Sequence, residues 1–324
     1  MIHARITESE IRRLLRLPDG GDREVRAVGT LDESYDDCLY FVNTEVKAPL
    51  RERFAERRGC IVIARVGSAR SGDWGDCVVV ECHDPRAAIG RVLGLIRVEG
   101  RQPPLVAERN ISPEAMVSPL AVTEGNVEIG EGALIEPFCV IGPDVRIGKG
   151  TIIRSGVRLF PRVEIGDETV IGANTVIGHD GYGYVRNEEG NKEHIPHLGG
   201  VKIGSHVEIS ALTVVHAGVI VPTTVEDHAK VGELNIVAHN CRVGRGASVT
   251  AGVMMGGRSV IGAEAWVGLN ASIRDGGRVG ERALVGMDVS VQEDIPDGAV
   301  ARAPRPDVQP RTDIDPAAIG FQRR

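Results

Sequence analysis

Nine histidines and six cysteines are the side chains of this 324-residue chain best suited to acid–base, ligating or nucleophilic chemistry. A neutral imidazole, with an ordinary pKa near ~6.5, can take up a proton or bind a metal at neutral pH. Only His194 and His197 stand in a ligand-like spacing, H-x-x-H, and their irregular stretch offers no clear third ligand, so no metal is expected. Cys38, Cys60, Cys77, Cys82, Cys139 and Cys241 form no C-x-x-C pair. Their spacing predicts neither a zinc site nor a disulfide frame, and a reducing cytoplasm is the expected setting. The net charge of −7 excludes a general nucleic-acid binder. No apolar run approaches the ~18 residues of a membrane span, and the charged N-terminus lacks the apolar stretch of a signal peptide.

The elements that must position these groups follow from a repeat. Stepping by six from Ile111 to Ile177, through Ile203, Ile209 and Val215, then from Val219 to Val291, meets Val, Ile or Leu at 26 of 28 positions. Neither a helix nor a plain alternating strand repeats every six residues. A short flat strand plus a turn does, and three such units make an 18-residue triangular coil. Coils stacked at the strand spacing of ~4.8 Å satisfy one another's backbone. With 41 glycines and only 3% aromatics, the chain suits a narrow prism filled by β-branched side chains. About nine coils of a parallel β-helix are predicted. The repeat breaks at residues 179–200 and, by a four-residue step, at Val215–Gly218, and both breaks are expected on the surface where chemistry happens.

Residues 1–105 read as a small α/β domain. Helices are predicted over Thr7–Leu17 (Ser9 as cap), Arg51–Arg58 and Pro85–Val98, and strands over Leu39–Val42, Cys60–Ala64 and Cys77–Cys82. Residues 106–298 form the β-helix. Residues 299–324, with Pro304, Pro306, Pro310 and Pro316, read as an extended tail able to cap the open end of the prism.

Four stretches sharpen this reading: LYFVNTEV (39–46), GHDGYGY (178–184), HIPHLGGVKIG (194–204) and NIVAHNCRVG (235–244). In this order and spacing they resemble the UDP-3-O-acylglucosamine N-acyltransferases, over roughly residues 25–298. The resemblance implies left-handed β-helices assembled as a homotrimer, with active sites between neighbouring subunits. It also implies N-acylation of a UDP-linked amino sugar, with acyl carrier protein as donor and no tightly bound cofactor. The histidine of the A-H-N motif, here His239 followed by Asn240, would be the general base. An amine attacking a thioester must lose a proton, which a neutral imidazole can accept. Gly257 lies eighteen residues on, one coil above, and by the same resemblance donates its backbone N–H to the oxyanion. Tyr40 and Asn43 match the places that stack and hold uracil. Asp180, Gly181, Tyr182 and Tyr184 match the loop beside the sugar. His216 and Ala217 replace an acid and an arginine of the family motif, which places His216 in the sugar or acyl pocket. His179, His206 and His228 read as surface or loop residues.

The chain departs from the pattern elsewhere. Val46 replaces a second tyrosine, Gly232 an orienting acid, Gly276 a histidine near the donor's pantetheine arm, and the tail shows no helices for the carrier protein. A short-chain transferase using acetyl-CoA or a similar coenzyme A thioester is therefore the second reading. A non-catalytic β-helix scaffold is the third, against which the intact V-A-H-N motif speaks, and metal-dependent hydration the fourth.

Overall fold

The six-residue repeat folds into three flat parallel sheets, of ten, nine and nine strands, wound around one apolar axis. The architecture is a left-handed parallel β-helix with a small α/β unit before it. The computed structural model describes residues 2–31, 35–42, 52, 54–68, 74–99, 109–187 and 189–304. Strand partners stand one coil apart, as in Ile135 beside Ile153 and Val237 beside Met255. Ile177 instead pairs with Val215, and Val215 with Val237, which places all the extra residues of the prism in two adjoining coils.

The anchors from Ile129 to Ile177, from Ile203 to Val215 and from Val225 to Val291 are buried and form one core. A second inward position lies two residues before each anchor and takes smaller side chains, such as Ala133, Thr151, Ala247 and Ser259. Cys139 and Cys241 occupy this place, which accounts for both as core fillers. The buried hydroxyls here are satisfied: Thr151, Thr169 and Thr213 donate to the carbonyls of Gly166, Gly204 and Gly232 at 2.7–2.9 Å. Left unpaired, each would cost about 1–3 kcal/mol.

One predicted anchor fails. Val219 leaves the prism and packs against a separate cluster beneath the long excursion, and the six-residue phase resumes at Val225. The insert is held there by Leu198 N–H to Val219 O at 3.0 Å and Gly199 N–H to Gly218 O at 2.8 Å.

The N-terminal unit has a five-stranded sheet: β1 (Ile2–Thr7), β2 (Glu24–Val28), β3 (Cys38–Val42), β4 (Ile61–Arg65) and β5 (Val78–Cys82). β1 runs antiparallel to β2, and the remaining pairs are parallel. α1 (Glu8–Leu14) is capped by Thr7, not Ser9, because Thr7 and Glu10 form a reciprocal capping box. β1 and β2 were not anticipated from sequence. α2 (Pro85–Glu99) covers the sheet. The predicted helix at Arg51–Arg58 lies only partly within the described residues, and most of the Pro-rich tail lies outside them. Val300–Ala301 stacks on Leu284–Val285. Val185, Ile195, Leu198 and Ile220 share a core with this unit, so both breaks of the prism dock on it.

Candidate active site

Four neighbouring strands of one prism sheet carry the site: Val176–His179, Val214–His216, Ile236–Val237 and Met254–Met255. His179 and His216 are direct cross-strand partners. His239 follows the third strand by two residues and, as expected from its offset from anchor Val237, leaves the core; it is half-buried. The excursion folds back over these strands as an antiparallel hairpin, Tyr184–Arg186 against Lys192–His194.

Asn240 fixes the His239 ring. It adopts a left-handed backbone, φ 58°, a region Asn tolerates better than most residues. Its N–H donates to Thr223 Oγ1 at 2.8 Å and its Nδ2 to Val221 O at 2.9 Å. Its Oδ1 accepts from Val219 N–H at 3.1 Å and faces His239 Nδ1 at 3.3 Å. That oxygen can only accept, so His239 carries its proton on Nδ1 and presents a lone pair at Nε2. The four-residue insert thus has a purpose in the geometry: it supplies Val219 and Val221 to hold Asn240, which in turn holds His239.

Gly257 lies against this lone pair. A Cβ built there would stand 2.6 Å from His239 Nε2 and 2.9 Å from Asp275 Oδ1, so no side chain fits without displacing the ring. Its carbonyl accepts from Gly276 N–H, and its own N–H has no hydrogen-bond partner among the described residues. At corresponding turn positions some N–H groups, such as those of Lys149 and Arg245, are taken by carboxylates of an adjoining coil, while others, such as those of Ala251 and Ala263, have no partner among the described residues either. The Gly257 N–H is thus a donor without a partner among the described residues, beside the lone pair of His239 Nε2.

The loop Asp180–Tyr184 closes over the histidines. A Cβ at Gly181 would lie 3.3 Å from His197 Nε2, 3.3 Å from His239 Cδ2 and 3.4 Å from His216 Nδ1. Three imidazoles thus converge on one point, and glycine is what allows the loop to approach them. Asp180 is fixed by Arg97 of α2 at 2.6 Å, with His194 Nδ1 at 3.7 Å. Tyr182, 75% exposed, packs edge-on against Tyr184, and Tyr184 against His194. His179 is exposed, as read from the sequence, and its ring bonds the Asp180 carbonyl oxygen and meets Phe160 and His216. His206 and His228 stack on each other at 4.8 Å and belong to a different part of the coil.

Sequence reasoning missed His197 and Arg97 as parts of this site. His197 is 3% exposed, its ring centroid 5.1 Å from that of His239. Burial, and then the neighbouring His239, push its pKa down to about 4; burial likewise lowers that of His216. The H-x-x-H pattern was visible but pointed only to metal. Asp180, His194 and His197 do bring one ligand atom each within 4.8 Å of one another. However, the two rings lie nearly parallel, at 23° with centroids 5.8 Å apart, and Asp180 is already paired with Arg97. A cation would have to lie near both ring planes and beside a guanidinium, so the group fits a metal poorly.

Tyr40 corrects an expectation. It is fully buried, edge-on to Phe54 at 4.8 Å, and its hydroxyl exchanges hydrogen bonds with the Tyr35 backbone. It offers no ring face to a base, because the ring is part of the N-terminal core. Asn43 lies outside the described residues.

The bacterial transferase hexapeptide (six repeats) family model matches residues 126–161. The UDP-3-O-acylglucosamine N-acyltransferase of Delftia acidovorans is 39% identical over 247 residues, 75% of this chain and 69% of its own. The UDP-3-O-acylglucosamine N-acyltransferase 2 of Legionella pneumophila (strain Lens) is 40% identical over 86 residues. That match covers 26% of this chain and only 25% of the Legionella protein. Among solved structures, the UDP-N-acetylglucosamine acyltransferase of Campylobacter jejuni aligns at TM-score 0.48 and 20% identity, over 59% of this chain and 70% of its own. The long match to the Delftia protein spans most of both chains, and on it the chain belongs to the UDP-3-O-acylglucosamine N-acyltransferase family.

Proposed function

We propose that this protein transfers an acyl group from a thioester to the amine of a UDP-linked amino sugar. The observation that carries the reading is the pairing of His239, its Nε2 turned to Gly257, with the Gly257 N–H, which has no hydrogen-bond partner among the described residues. The amine nitrogen attacks the thioester carbonyl and its proton passes to His239 Nε2. The carbonyl oxygen, now an oxyanion, is met by the Gly257 N–H. The intermediate collapses to an amide, the C–S bond breaks, and His239 returns the proton to the departing thiolate. Asn240 keeps the imidazole in the required tautomer.

The Asp180–Tyr184 loop and His216 line the sugar side of the site. With Tyr40 in the interior, uridine recognition falls to Asn43 and its neighbours. The donor is acyl carrier protein or a coenzyme A thioester, the assembly a homotrimer with the site shared between subunits, and the setting the cytoplasm. Among the described residues no helix is long and apolar enough to cross a membrane.

The test is direct. The protein is incubated with UDP-linked amino sugars and either acyl carrier protein thioesters or acyl-coenzyme A, and the product is read by mass spectrometry. A UDP-sugar heavier by one acyl group, with the amine consumed, supports the reading. Free thiol released without an N-acylated sugar contradicts it. Sedimentation showing a stable 34.6 kDa monomer at micromolar concentration would remove the shared site.

A further inference from the structure

Three parallel strands of the N-terminal unit, β3, β4 and β5, carry a cysteine in one row at their start. Leu39 pairs with Ile61 and Ile61 with Val78, so the residues just before them, Cys38, Cys60 and Cys77, stand side by side. Strand register makes this row, which is why the spacing of the cysteines along the chain does not show it. All three lie on the sheet face that packs Phe54 and Trp74, opposite the face covered by α2. Cys60 and Cys77 are tied together on both sides. Val78 N–H donates to Cys60 O at 2.9 Å, and Gly59 N–H donates to the Asp76 carboxylate at 3.0 Å. Neighbouring strands run ~4.8 Å apart, within the ~4.4–6.8 Å that separates the Cα atoms of a disulfide.

The three thiols are not equivalent. Cys38 and Cys60 are buried, while Cys77 is half-buried, so solvent reaches the row at Cys77. Burial pushes the Cys38 thiol up to about 11, which keeps it neutral. The Cys77 thiol donates a hydrogen bond to Cys60. That bond lowers the Cys60 thiol to about 7 and raises Cys77, and it keeps the two sulfurs within reach of each other. Cys60 is therefore the nucleophilic sulfur, and Cys77 the partner that can close on it.

We propose that Cys60 and Cys77 form an oxidant-sensitive dithiol, which a small peroxide closes to a disulfide and which binds trivalent arsenicals while reduced. The Cys60 thiolate sulfur attacks one peroxide oxygen and the O–O bond breaks. Hydroxide leaves and takes up a proton to become water, and Cys60 is left as a sulfenic acid. The Cys77 sulfur then attacks the Cys60 sulfur, the S–O bond breaks and the S–S bond forms. The Cys77 proton leaves with the hydroxyl as a second water. The pair has lost two electrons and the peroxide has gained them. A thiol reductant reverses the change, so the dithiol suits a compartment where disulfides are transient. The proposal is independent of the acyl-transfer reading.

The experiment treats the native, fully reduced chain with hydrogen peroxide, blocks the remaining thiols and maps disulfide-linked peptides by mass spectrometry. The wild type is expected to lose two of its six thiols as one intramolecular Cys60–Cys77 link, and dithiothreitol to restore both. Cys38→Ser should keep the link. Cys60→Ser and Cys77→Ser should each abolish it, and Cys77→Ser should stop at a Cys60 sulfenic acid that dimedone traps. Phenylarsine oxide, which needs two adjacent thiols, should bind the reduced wild type and Cys38→Ser, and neither of the other two variants. Tm is recorded for each protein. If a serine variant does not fold, the wild-type peptide map and arsenical binding carry the test. A link from Cys60 to Cys38, a link between two chains, or six thiols still present after peroxide overturns the proposal. Arsenical binding unchanged in Cys77→Ser overturns it as well.

Discussion

The regular prism and its two breaks treat buried polarity in opposite ways. Within the coils, the threonine hydroxyls at the second inward position donate to turn carbonyls, and Asn235 bonds Gly232 O and Val253 N–H. At the breaks, His197 and His216 each leave a buried nitrogen without a hydrogen-bond partner among the described residues. Among the described residues, the other two buried side-chain atoms without a partner, on Arg57 and Trp74, belong to the N-terminal unit, near segments outside the described residues. A β-helix satisfies its own backbone coil upon coil, so it can carry a local deficit without loss of the whole fold. The lesson is where to look: among the described residues of the prism and its breaks, the buried side-chain nitrogens left without a partner stand beside His239.

The comparison can be broken at several points. The largest effect short of removing the base is expected from Gly257→Ala. The new Cβ would displace His239 Nε2 and the oxyanion donor together, lowering kcat by about 10²-fold, the scale of a lost oxyanion contact. Steady-state kinetics with unchanged sedimentation checks this, and near-normal turnover would separate Gly257 from the chemistry. Tyr40→Ala moves the test to the N-terminal unit. Truncating a large buried aromatic typically costs about 3–5 kcal/mol, so denaturant unfolding should show a loss of that order. A raised KM for the UDP-sugar with unchanged stability would return Tyr40 to the uridine site.

Asn240→Ala should lower kcat by about tenfold, because it orients His239 without touching the reacting atoms. A loss as large as that of the base itself would give Asn240 a direct role. The smallest effect concerns pH. His197 is held neutral by burial, with its pKa pushed down to about 4 against an ordinary value near ~6.5. In that window the unfolded chain binds the proton that the folded chain refuses, so stability falls as pH drops from about 6.5 toward 4. His216 adds in the same direction. Thermal unfolding across this range should show a shallower acid loss for His197→Gln than for wild type. Identical slopes would mean that His197 is not held neutral by the fold.

Much of this was legible in the sequence. The six-residue period exposed the prism because one β-branched anchor per strand repeats without regard to partners. The breaks were visible as lost phase, and the A-H-N motif marked His239. What was not legible is what the breaks bring together. Val219 kept the aliphatic identity of an anchor while its segment left the prism. Tyr40 was read from motif alone, and the covering Phe54 lies fourteen residues on. Arg97 and His197 meet the site through Asp180 and His239, contacts between separate elements that no local pattern encodes.

The central claim is that the breaks build an acyl-transfer site around the lone pair of His239. The measurement that tests it most directly is kcat of His239→Ala with a UDP-linked amino sugar and an acyl thioester, alongside Tm. The account predicts a fall of about 10²–10⁴-fold, the range of a positioned general base, with Tm nearly unchanged because the half-exposed ring supports no part of the core. Near-wild-type turnover by a folded His239→Ala protein would contradict it.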